Sequence, residues 1–235
     1  MKPESNQASG QGVEVDAGLA GLLAGMRKRA SRGSPVPTLP EPRVAAVQVK
    51  ASDDLVKCFT DAARLSGMSV YQTNTAAWVT CVRGLLRECG ARKVFIGPRP
   101  NTVFSDEEAG ELAAVLVQQG VQPHTTPDDE TLFEVDASIT GVDAAIAENG
   151  TIVCASAKDQ ARGASLIPPI HVAVLGTSQI VPDLCDYFDR LANMGAELPA
   201  NVNLISGPSK TADIEGVLVT GVHGPGQVHI VLVQQ

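Results

Sequence analysis

The chain has 235 residues, 44% of them hydrophobic and 19% charged, enough for one large domain with a core of its own. The net charge is −8, and the first 50 residues hold seven Lys/Arg against four Asp/Glu, so the body is acidic and general binding to a nucleic-acid backbone is excluded. No stretch approaches the roughly 18 apolar residues of a membrane span. The five cysteines (Cys58, Cys81, Cys89, Cys154, Cys185) are odd in number and form no C-x-x-C pair, so no metal or cluster held by this chain alone is expected.

Residues 1–13 are rich in Ser, Gln and Gly and read as disordered. Val15, Leu19, Leu22, Leu23 and Met26 share one helical face, and Arg27, Lys28 and Arg29 follow it. Acids before this short apolar run and bases after it are the reverse of a signal peptide, so the cytoplasm is the expected location. Residues 33–42 hold four prolines and read as a linker. The expected organisation is an N-terminal arm over 1–43 and an α/β domain over 44–235.

Helices and strands then alternate. A helix is predicted over 53–66, a strand over 68–73, a helix over 76–88 closed by Gly90, and a short strand over 93–96. Ser105 and Glu108 form a capping box for a helix reaching Gln119, with Gly120 after it and a strand over 121–125. Strands dominate from there: 133–139, 151–156, 170–175, 202–205, 217–220 and 228–233. One helix interrupts them, with Pro182 in its first position and Leu184, Tyr187, Phe188 and Leu191 as its apolar stripe. The predicted fold class is α/β: a layered, largely parallel sheet flanked by helices, with antiparallel strands toward the C-terminus.

Four loops could carry chemistry. In the first, a strand runs into a short helical turn and then Glu148-Asn149-Gly150-Thr151, where Gly150 permits a sharp turn that would present Glu148 as nucleophile, base or ligand. In the second, two prolines lead into a buried strand whose second residue is His171, more often a satisfied core histidine than a catalyst. The third is Ser206-Gly207-Pro208-Ser209-Lys210-Thr211, followed by Asp213 and Glu215. Small residues, hydroxyls and a lysine after a strand could cradle a small anionic ligand, although no Walker A pattern is present. The fourth, Gly221-Val222-His223-Gly224-Pro225-Gly226, would bring backbone close to a ligand with His223 as the polar group.

The strings I-A-E-x-G-T, P-x-x-H, S-G-P-S-x-T-A-D-I-E and G-V-H-G-P, in this order, resemble the lactate utilization protein C family, also called the LUD domain. The resemblance is strong over residues 130–235 and diffuse over 44–130. It implies a fold similar to the CoA-transferase, ribose-5-phosphate isomerase and glucosamine-6-phosphate deaminase group. It also implies an accessory or regulatory role in L-lactate utilization, the oxidation of lactate to pyruvate, with two iron–sulfur partners, utilization proteins A and B, and no cofactor of its own. Where the family reads E-T-G-T, this chain has Glu148-Asn149-Gly150-Thr151, which is similar to the S-E-N-G text of CoA-transferases with Ala147 in place of the serine. The alternative is therefore an enzyme of the CoA-transferase or sugar-phosphate isomerase type, in which Glu148 reacts, Lys210 and the neighbouring amides hold an anion and His223 closes the site. A structural or ligand-sensing domain with a degenerate site is the third reading. Neither the ligand nor the reaction step follows from the resemblance.

Overall fold

Strands β7 (Ile170–Gly176) and β12 (Gln227–Gln234) are apolar on both faces, and β7 is buried at all seven positions. Strands of that composition belong in the middle of a parallel sheet. Both lie in a six-stranded sheet of order β1-β12-β7-β4-β2-β3, in which every pairing is parallel. The other members are β1 (Ser69–Asn74), β2 (Lys93–Gly97), β3 (Gln122–His124) and β4 (Ala137–Gly141). This computed structural model describes residues 48–99, 102–156, 160–193, 198–214 and 217–235, all within the unit Ala45–Gln235. The arm expected over 1–43, with its helix and linker, lies outside the described residues.

Three helices position the sheet. Helix α1 (Leu55–Leu65) starts where the Asp54 carboxylate accepts from the Lys57 N–H, and it buries Phe59 and Ala63. Helices α2 (Trp78–Glu88) and α3 (Asp106–Val117) cover the other face through Trp78, Val82, Leu86, Leu112 and Leu116, against Ile96, Ile139, Val172 and Val231. Each such side chain contributes roughly 1.5–3 kcal/mol when fully buried. The capping box of Ser105 and Glu108 opens α3, and Gly90 and Gly120 follow α2 and α3 at φ 69° and 76°.

A second sheet of order β8-β5-β6-β9 packs with α1 on the remaining face of the first. Its strands are β5 (Ala144–Ile146), β6 (Thr151–Ala155), β8 (Ile180–Val181) and β9 (Val202–Ile205). The pairings of β5 with β6 and of β6 with β9 are antiparallel. Helix α5 (Leu184–Asn193) closes the outer face through Leu184, Tyr187 and Leu191. Phe188, expected in that stripe, is half-exposed. Strands β10 (Lys210–Ile214) and β11 (Val217–Thr220) form a separate antiparallel hairpin. The chain is therefore α/β, with a parallel main sheet between helices. Among the described residues no helix is long and apolar enough to cross a membrane.

Three local expectations are corrected. Residues 129–134 are helix α4 (Asp129–Glu134), because Asp128 caps the Thr131 N–H and hydroxyl and leaves Phe133 facing outward. The helical turn expected before Glu148 is strand β5, held between β6 and β8. Pro182 precedes α5 rather than opening it; Asp183 accepts from the Asp186 N–H.

Candidate functional site

Most of the sequence-predicted loops converge on one place, the C-terminal end of α1. The tight turn after β5 is held by the Glu148 N–H on the Pro182 carbonyl (3.0 Å) and the Gly150 N–H on the Ile146 carbonyl (2.9 Å). Gly150 has φ 69°, and a Cβ there would lie 2.2 Å from the Ala63 nitrogen, so only glycine lets this turn rest on the α1 backbone. Asn149 accepts from the Thr151 N–H, and the Thr151 hydroxyl meets the Ser206 hydroxyl at 2.7 Å. Gly207, at φ 141°, lies against the Ser66 carbonyl, and Lys210 Nζ donates to that same carbonyl at 3.3 Å. The lysine thus meets the negative end of a helix dipole.

Ser209 ties in the last loop. Its carbonyl accepts from the Gly221 N–H (2.9 Å), its hydroxyl from the His223 N–H (3.3 Å), and its N–H donates to the Pro225 carbonyl. Gly224 packs beside Ser209, and Pro208 lies near Gly67. His223 is exposed and Glu148 is half-buried. Thr211 and Asp213 lie in β10, and Glu215 is outside the described residues. This cluster sits where α1 leads into β1, at the N-terminal edge of the main sheet.

His171 is elsewhere, wholly buried in β7 with Nε2 2.8 Å from the Thr140 hydroxyl. Burial, and secondarily the charge of His229, pushes it down to about 4, so it is neutral at physiological pH.

The carboxyl edge of the main sheet holds a second constellation, which sequence reasoning missed. The strand order reverses between β2 and β4: from β2 the chain passes outward to β3, and from β4 inward to β7 and β12. In open parallel sheets such a switch point is where the crevice forms. Arg99, two residues beyond β2, donates from Nη1 to Asp143 Oδ1 at 2.6 Å and from Nη2 to the Ala155 carbonyl. Asp143, two residues beyond β4, accepts the Ala155 N–H on its other oxygen at 2.6 Å. A Cβ on Gly141 would stand 2.7 Å from Arg99 Cβ, so this glycine lets the arginine loop close over the end of β4. Burial pushes the Asp143 carboxyl above the ordinary range, although Arg99 and the Ala155 N–H pull it back. Burial also drives the neighbouring Cys154 thiol up to about 12, which keeps it protonated.

A cavity of about 30 Å³ opens here, with Arg99, Thr140, Ser156, Gln160, Arg162 and Asn203 among its lining. A larger groove of about 820 Å³ runs beside α2 and α3 past Arg83, Arg87 and Arg92. Its lining holds none of the buried, unpartnered side-chain polar atoms found among the described residues. The smaller cavity is the better candidate. Its signal in the sequence was a charged residue two places beyond a strand-ending glycine, in Gly97-Pro98-Arg99 and again in Gly141-Val142-Asp143.

Comparison with known proteins bears on most of the chain. Residues 56–233 match the family model described as the LUD domain. A "Lactate utilization protein C" of Halalkalibacterium halodurans is 31% identical over 201 residues, 83% of this chain and 85% of that one. A protein of the same name from Bacillus licheniformis is 29% identical over 225 residues, 88% and 90% of the two chains. In fold, the chain is similar to a DUF162-family protein from Deinococcus radiodurans, with a TM-score of 0.53 and 22% identity over 76% of this chain and 96% of that one.

Proposed function

Because the chain belongs to the LUD domain family, we propose that it serves in lactate utilization, as a cytoplasmic accessory component of the oxidation of L-lactate to pyruvate. The observation that supports this reading is the correspondence with proteins named lactate utilization protein C over most of both lengths. The electrons leaving lactate need an acceptor, and the reading assigns their transfer to iron–sulfur partners, utilization proteins A and B. This chain's part is to hold the substrate or the partners in place.

The test is genetic and biochemical together. Deletion of this chain alone should abolish or slow growth on L-lactate while sparing growth on pyruvate, and a tagged copy should retrieve two iron–sulfur proteins from lactate-grown cells. Unimpaired growth on lactate after the deletion overturns the reading. Complementation with Glu148→Gln asks whether the carboxylate reacts: full growth confines Glu148 to the turn that rests on α1, and loss of growth with a folded protein returns the covalent chemistry.

A further inference from the structure

We propose that the cavity at the switch point between β2 and β4 binds a small monocarboxylate, with Arg99, Ser156 and Asn203 as donors to its two oxygens. Buried polar atoms in folded proteins are nearly always paired. Among the described residues nine buried side-chain polar atoms have no partner within the protein, and four of them belong to residues that line this one cavity. These four are Arg99 Nε, Ser156 Oγ, Asn203 Nδ2 and Gln160 Oε1. They come from the loop after β2, the residue following β6, the neighbouring strand β9 and the approach to Arg162, which the pairing of β6 with β9 helps bring together.

The chemistry of the set selects the ligand. Arg99 Nε, the Asn203 amide and the Ser156 hydroxyl are donors, which suits an acceptor with several lone pairs. Gln160 Oε1 is an acceptor and fits a hydroxyl carried beside the carboxylate. Arg99 and Arg162 bring two positive charges and Asp143 one negative, so a single negative charge neutralises the group. That favours a monocarboxylate over a dicarboxylate or a phosphate. Size agrees: 30 Å³ takes about two water-sized groups at 10–15 Å³ each, the bulk of a carboxylate head, with the remainder of the ligand at the opening. Arg99 is also fixed before any ligand arrives, because Asp143 and the Ala155 carbonyl occupy both of its terminal nitrogens. Of its three nitrogens only Nε has no partner within the protein, and its N–H is the donor offered to a ligand.

The proposal rests on the cavity rather than on the lactate reading, and the two fail separately. The experiment is calorimetric titration and thermal melting of the full chain with sodium acetate, pyruvate and L-lactate at constant ionic strength, with sodium chloride and neutral lactamide as controls. The expected result is saturable binding and a raised melting temperature with at least one of the carboxylates and with neither control. Asn203→Asp keeps the side-chain size and replaces the donor with a charged acceptor, and it should weaken binding at least tenfold. Ser156→Ala is the milder variant that keeps the test alive if the first does not fold, and it should weaken binding several-fold. The proposal is overturned if no carboxylate binds, if chloride stabilises as much as they do, or if both folded variants bind like the original chain. Binding of acetate or pyruvate by a chain dispensable for growth on lactate would sink the lactate reading and leave the site standing.

Discussion

Replacing Arg99 with methionine should destabilise the protein by an amount that depends on pH. The guanidinium side chain is 13% exposed and its partner Asp143 25% exposed, so the pair is largely out of water. Removing one member of a buried pair strands the other charge, at about 3–5 kcal/mol. In a unit of this size that is roughly 6–20 °C in melting temperature. Burial already holds the Asp143 carboxyl above its ordinary range with Arg99 present. Without Arg99 it rises further, because the largest influence favouring the charged form is gone. The folded protein then binds more protons than the unfolded chain over a wider pH window, and stability falls as pH rises through that window. The gap between wild type and Arg99→Met should therefore widen at up to about 1.4 kcal/mol per pH unit above the wild-type Asp143 value, then level off. Urea unfolding followed by circular dichroism at pH 5 and pH 8 reads both ends. Adding Asp143→Asn should recover stability at pH 8, since it removes the stranded charge. Equal losses at the two pH values, or a loss below about 1 kcal/mol at pH 8, would refute the reasoning.

Further outcomes follow from the packing. His171 is depressed to about 4 from 6.5, so the unfolded chain binds the extra proton and stability drains as pH falls through that interval, by about 3 kcal/mol; His171→Gln should flatten that part of the stability–pH curve. Gly150→Ala meets the α1 backbone at a positive φ and should cost roughly 3 kcal/mol or more in chemical denaturation. Gly84→Ala, in the middle of α2 with nothing within 4 Å of its Cβ, should instead stabilise by about 0.5–1 kcal/mol. Lys210→Met should change stability by less than about 1 kcal/mol, because the lysine is exposed and only supplements the end of α1.

Elements with a local cause were legible. The Ser105–Glu108 box, the glycines after α2 and α3, and the apolar runs of β7 and β12 each carry their structure in a few adjacent residues. Strands β5 and β8 were not legible, since two or three residues become strand only when partners elsewhere in the chain offer hydrogen bonds. Phe133 shows the ambiguity of a short apolar segment: the Asp128 cap decided for helix where alternation suggested strand. Lys210 shows a chemical ambiguity. A lysine among small residues suits an anion, and it equally suits a helix-end carbonyl such as that of Ser66. The Arg99–Asp143 pair required knowing where the strand order reverses, which is a property of topology and not of any local window.

The position of β12 has a consequence for how the protein is made. Among the described residues strand β1 pairs in its sheet only with β12, from Ser69 against His229 to Asn74 against Gln234. At roughly 5–20 residues per second, a ribosome would deliver that partner about 10–30 seconds after β1 itself. Until then β1 lacks its described partner, β7 lacks the neighbour that covers one edge, and the apolar face of α1 has only part of its cover. The nascent chain is thus most vulnerable to wrong pairing, and most in need of a chaperone, just before the final strand arrives. Cutting the chain before Gln227 would not trim an edge; it would remove the strand that stitches α1 and β1 to the rest.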